Sequence, residues 1–69
     1  MSNHVYKLIE VVGTSTEGIE QAVNNALERA GKTVQNMRWF TVTETRGDID
    51  NNKAAHWQVT VKIGFTLND

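Results

Sequence analysis

The segment AAHWQVTVKIGFTL, residues 54–67, alternates without interruption. Ala55, Trp57, Val59, Val61, Ile63, Phe65 and Leu67 fall on one parity; His56, Gln58, Thr60, Lys62, Gly64 and Thr66 fall on the other. Successive side chains of a strand point to opposite faces, so this is a strand with an apolar face that must be covered and a polar face that need not be. The cover lies in the same chain. In GTSTEGIEQAVNNALERAGKTV, residues 13–34, the apolar residues Ile19, Ala22, Val23, Ala26, Leu27, Ala30 and Val34 recur along one helical stripe, with Glu20, Asn24, Glu28 and Lys32 opposite. Thr14 and Ser15 compete as N-caps, and Glu17 stands three residues after Thr14, in capping-box position.

Two further strands complete the pattern. HVYKLIEVV, residues 4–12, carries apolar groups on both parities and ends at Gly13, and a second strand begins near Arg38. Between the second and third strands, GDIDNNK is dense in Gly, Asp and Asn and reads as a hairpin connection. The order strand, helix, strand, strand predicts an α+β fold: βαββ, a three-stranded antiparallel sheet packed on one α-helix. A right-handed crossover through the helix leaves the first two strands parallel with a gap between them, which the third strand fills. Residues 1–69 read as one domain.

A chain of 69 residues buries too little surface to be comfortably stable without a staple. It has no Cys, which excludes disulfides, thiolate metal sites and Cys nucleophiles. Self-association is then the expected source of the missing stability. A formal net charge of −1, with seven scattered Lys and Arg, gives no basic stripe and argues against a nucleic-acid partner. No charged n-region followed by an apolar h-region opens the sequence, and no apolar run approaches the ~20 residues of a membrane span. A cytoplasmic protein with no membrane partner is expected. There is no internal repeat, low-complexity tract or linker, and the absence of Pro fits a compact chain.

Trp39 and Phe40 are adjacent, so a strand sends them to opposite faces. Phe40 and Val42 form the apolar set, leaving Trp39 with Thr41, Thr43 and Thr45 on the polar face, whereas Trp57 belongs to the apolar set and is expected in the core. A ring on the open face of a small protein is either buried by a neighbouring subunit or offers a stacking surface to a planar ligand. If the hairpin turns tightly about Asn51 and Asn52, Thr45 pairs with Gln58, Thr43 with Thr60, Thr41 with Lys62 and Trp39 with Gly64. Gly64 then places no side chain beside the indole, leaving room for something flat; a strand Gly marks a bulge or close backbone approach equally well. Gln58 falls six residues from the Trp39 level, or roughly 20 Å at strand rise, so a site using both must form between subunits.

VGTS before the helix, RAGKT toward its end, WFTVTETRG opening the hairpin and HWQVTVKIGF closing the chain together resemble the dodecins, small bacterial and archaeal flavin-binding proteins. The resemblance runs from Tyr6 to Leu67 without a needed gap; no single piece is specific, but their order and spacing are. It implies a hollow homododecamer of βαββ subunits. It also implies that Trp39 stacks on an isoalloxazine ring, two flavins lying face to face between two such Trp from symmetry-related subunits. Gln58 matches the family Gln that contacts the isoalloxazine edge, where a carboxamide can donate to a ring carbonyl and accept from a ring N–H. Arg46 matches a position near the ribityl phosphate in FMN-binding members, which favours FMN over riboflavin or FAD, although parity puts Arg46 on the Phe40 side unless the strand twists or bulges. Trp57 departs from the family, which more often has Tyr or Phe there.

Catalysis finds little support. A flavin between an indole and a second flavin has both faces covered, leaving no place for a substrate, so no enzymatic activity is expected. His4 and His56 stand apart from other ligands at metal-binding spacing, and Glu10, Glu17 and Glu44 form no recognisable carboxylate pair, so no metal is expected. The expected function is flavin storage and sequestration with photoprotective quenching by the indole. Two alternatives are a ligand-free oligomerisation module, in which Trp39 packs on its counterpart, and a small flavoenzyme on the same scaffold.

Overall fold

Two consecutive asparagines with positive φ, Asn51 at 55° and Asn52 at 63°, close a tight hairpin in the computed structural model, which describes residues 3–67. Left-handed backbone at both central positions is the type I′ requirement, whose twist matches that of the flanking strands, and Asn tolerates it better than most residues. The connection is therefore shorter than GDIDNNK suggests. The strands it joins are β2 (Met37–Asp50) and β3 (Lys53–Thr66), preceded by β1 (Tyr6–Ser15) and one helix, α1 (Ile19–Ala30). The sheet is antiparallel in the order β1-β3-β2, with β3 in the middle, as the crossover argument requires.

The first strand outruns its predicted end at Gly13. β1 continues to Ser15, with Gly13 opposite Val59 and Ser15 opposite Trp57. Gly13 is where the helix comes closest: a Cβ there would overlap the Ala22 carbonyl oxygen and lie 2.8 Å from the Ala26 Cβ. The glycine permits close approach rather than ending the strand.

The helix start also differs from the expectation. Thr14 and Ser15 lie in β1, and the N-cap is Gly18, at φ 154°, with no side-chain cap. Few residues other than glycine adopt that backbone conformation. Ser15 instead accepts a hydrogen bond at Oγ from the Glu17 N–H at 2.8 Å, and the Asn25 amide donates to the Thr14 carbonyl at 2.9 Å. These polar groups secure the β1–α1 turn and not the first helical turn. The helix ends at Ala30, with the Gly31 N–H bonded to the Leu27 carbonyl at 2.9 Å; Val34, expected on the stripe, lies beyond it.

The core is small. Ala22, Val23, Ala26 and Ala30 of α1 meet Val59, Val61 and Ile63 of β3, and Ile9, Val11, Leu27 and Met37 pack around them. Alanines let the helix axis sit close to the sheet, but a helix so close covers little width. α1 rests on β1 and β3 and scarcely touches β2. Phe40, which pairs with Ile63 on the helix side, is 47% exposed, and Val42 beside it 37%. Trp57, placed by parity in the core, is only half-buried, because it pairs with Ser15 and Gly47 where β1 ends. The described chain measures 55 × 20 × 14 Å, an elongated hairpin with one helix near its base.

Candidate functional site

Among the described residues, no layer covers the face of the sheet away from α1. On its central strand stand Gln58, Thr60, Lys62 and Gly64; Tyr6, Leu8, Glu10, Val12 and Thr14 of β1 share that face by register. At the Trp39 end the predicted register holds, with Trp39 opposite Gly64 and Thr41 opposite Lys62. The indole therefore lies on the open face.

Its placement is specific. A Cβ at Gly64 would have Trp39 Cε2, Cζ2 and Cδ2 as its three nearest atoms, all under 3.0 Å. A ring meeting that point edge-on cannot bring three contiguous carbons so near, so the indole presents its face to Gly64. The room left by the absent side chain is thus occupied by Trp39 itself, rather than kept free beside it. Gly64 is buried beneath the ring, and Trp39 remains 42% exposed. The inner face is seated and the outer face open. Tyr6 of β1 closes one side, its ring 6.3 Å from the indole centroid and inclined at 61°, and His4 stands 6.4 Å beyond Tyr6. Tyr6 was not singled out from the sequence, although its even parity with Leu8 in β1 places it on this face.

Farther along, the simple register fails. A shift between Val42 and Glu44 brings Glu44 opposite Thr60 and Arg46 opposite Gln58, displacing the predicted pairs Thr45 with Gln58 and Thr43 with Thr60. Thr43 Oγ1 now donates to the Thr60 carbonyl at 3.3 Å, and Thr45 faces the helix side opposite Val59. One extra residue in one strand reverses the parity of everything after it. Arg46, on the Phe40 side by simple alternation, thereby reaches the open face, and its Nε donates to Gln58 Oε1. The run TET between Val42 and Arg46 carries no large apolar residue, so its sequence holds nothing that fixes the parity.

Structure and sequence agree on a separation. Trp39 and the Arg46–Gln58 pair occupy opposite ends of the open face, because Gly64 and Gln58 are six residues apart on β3. At strand rise that is roughly 20 Å, beyond the reach of one ring system. Between them lie the polar residues Thr41, Lys62 and Glu10. His56 and Asp48 meet at 3.8 Å near the hairpin tip. Among the described residues, no three or more His, Asp or Glu are grouped to hold a metal ion, and no helix is long and apolar enough to cross a membrane.

Comparison with known proteins accounts for this arrangement. The dodecin family model matches residues 5–68. The chain is 46% identical over 65 residues to the dodecin of Thermus thermophilus, covering 94% of each. It superposes on the dodecin structure from Streptomyces coelicolor with a TM-score of 0.93 at 52% identity, over 100% of this chain and 99% of that one. A more distant relative, the calcium dodecin of Mycobacterium tuberculosis, is 30% identical over 63 residues, which are 91% of this chain and 89% of that protein. The helix against β1 and β3, the bare face beyond them and the order of motifs along the sequence are those of one family, and this chain belongs to the dodecins.

Proposed function

We propose that this protein binds and stores flavin without catalysis, flavin pairs being stacked between the Trp39 side chains of neighbouring subunits in a homododecamer. One observation carries the reading: the Trp39 indole lies face-down on Gly64 with its other face open. A large aromatic plate fixed parallel to its support, with one free face, suits a planar heteroaromatic ring. The exposed Phe40 and Val42 on the helix side supply apolar surface for the self-association that such a shared site requires.

The polar end of the face fits the edges of the same ligand. Arg46 takes up Gln58 Oε1, so the Gln58 amide group is turned to donate, which suits a ring carbonyl. A guanidinium carries five N–H donors; the one on Nε serves Gln58, and the terminal amines remain for a phosphate. That donor set favours FMN over riboflavin, which lacks a phosphate and can use the stacking surface alone; FAD shares the same ring and is the other candidate ligand. Because Trp39 and Gln58 of one chain cannot meet on one ring, Gln58 acts from a neighbouring subunit. Bound flavin would bring visible absorption and light-driven redox reactivity. An electron-rich indole in van der Waals contact quenches that reactivity, and covering both ring faces excludes a second substrate, so the site protects and stores.

Trp39→Phe tests this directly. The smaller, less electron-rich ring should weaken flavin binding about tenfold, on the scale of one aromatic stacking contact, and should restore part of the flavin emission at saturation. Affinity and quenching equal to those of the parent would contradict the proposal.

A further inference from the structure

The seat under the Trp39 indole does not by itself hold the ring down. Gly64 supplies a flat gap but no side chain to grip, and a Trp on an open strand face can swing out about its side-chain bonds into water. Something must limit that motion if the outer face is to stay parallel to the sheet. The indole crosses β3 above Gly64, and on the far side it meets Tyr6. The two rings make an edge contact at 6.3 Å and 61°, the arrangement in which the positive edge of one ring meets the negative face of the other. Tyr6 is in turn flanked by His4, at 6.4 Å and 55°. Three strands thus contribute one part each: β2 the ring, β3 the gap and β1 the stop.

We propose that Tyr6 is a positioning residue that keeps the Trp39 indole flat on Gly64, and that tight, fully quenched flavin binding depends on it. This rests on the flavin-binding reading for its second half alone. The contact seen is between the two rings, so Phe should replace Tyr6, whereas Leu, of similar apolar bulk but without an aromatic ring, should not. Tyr6 is 47% exposed and lies outside the buried core, so neither substitution should compromise folding.

The experiment uses Trp57→Phe as the parent, leaving Trp39 the one indole in the chain. Time-resolved fluorescence anisotropy of ligand-free protein, excited at the red edge where indole alone absorbs, reports the nanosecond swing of Trp39. Tyr6→Phe should match the parent, and Tyr6→Leu should show a larger amplitude of fast local motion. In titrations with FMN, Tyr6→Leu should bind about fivefold more weakly, within the range of one aromatic pair, and should leave more residual flavin emission at saturation. Unchanged anisotropy in Tyr6→Leu would overturn the positioning role whatever the titration shows, and equal losses in Tyr6→Phe and Tyr6→Leu would overturn the ring-edge basis for it. A parent that ignores FMN while Tyr6→Leu still loosens the indole would refute the flavin reading and uphold the positioning of the ring.

Discussion

Replacing Gly64 with alanine should all but eliminate flavin binding while leaving the fold intact. The added Cβ would have three indole ring atoms of Trp39 as its nearest neighbours. A side chain on an open face can move away, so relief is cheap for the fold: the ring tips off its seat into solvent. Alanine also restricts the unfolded chain more than glycine does, which offsets any small loss. The site has no such recourse, because its stacking surface is the displaced ring. The expected result is a melting temperature within a few degrees of the parent and flavin affinity lower by about a hundredfold, corresponding to roughly 2.7 kcal/mol. Thermal melts and FMN titrations check the two halves separately. Retained affinity would show that the indole need not lie on Gly64.

Gly13→Ala should do the reverse, damaging the fold itself. Here the added Cβ would overlap the carbonyl oxygen of Ala22 and approach the Ala26 Cβ at 2.8 Å. Helix backbone cannot swing aside as a ring does. The whole of α1 must retreat from β1, opening the contacts of Ala22, Val23 and Ala26 on which the core depends. Overpacking of this kind costs about 3 kcal/mol. In a domain this small each kcal/mol lowers the melting temperature by roughly 4–8 °C, so a fall of about 15 °C or more is expected. A melt unchanged from the parent would mean that the helix is not held against Gly13.

The contrast between these glycines also shows where sequence reasoning stopped. β3 and the helix stripe were legible because each carries an unbroken period that can be satisfied in one way, and the central place of β3 followed from chain handedness. The outward direction of Trp39 follows from parity, and the register drawn from a tight turn at Asn51 and Asn52 holds at the Trp39 end. Gly13 was misread as a strand end because a glycine that breaks a strand and one that admits a helix look alike until the helix is placed. Simple alternation puts Arg46 on the Phe40 side unless the strand bulges, and the bulge itself is a local event: the residues between Val42 and Arg46 are too polar for alternation to record which side is buried. Parity puts Phe40 and Val42 on the apolar side and Trp57 in the core, but it gives the side of the sheet and not the width of the helix above it. The helix rests on two strands and leaves the third half-bare.

These departures bear on the site. The bulge brings Arg46 to Gln58, so a charged group and a carboxamide act as one polar unit at the end of the open face remote from Trp39. The narrow helix leaves β2 with apolar surface that a neighbouring subunit can cover. Both features suit a site completed between copies of the chain, which is the proposed arrangement.

The most direct test of the account is to add ligand-stripped protein to FMN and, separately, to riboflavin, following flavin emission on excitation above the absorption of both Trp residues. The account predicts strong quenching that saturates near one flavin per subunit, with FMN bound more tightly than riboflavin to the extent that Arg46 engages the phosphate. Emission that stays at the free-flavin level throughout both titrations would contradict it, leaving Trp39 as a surface for subunit contact alone.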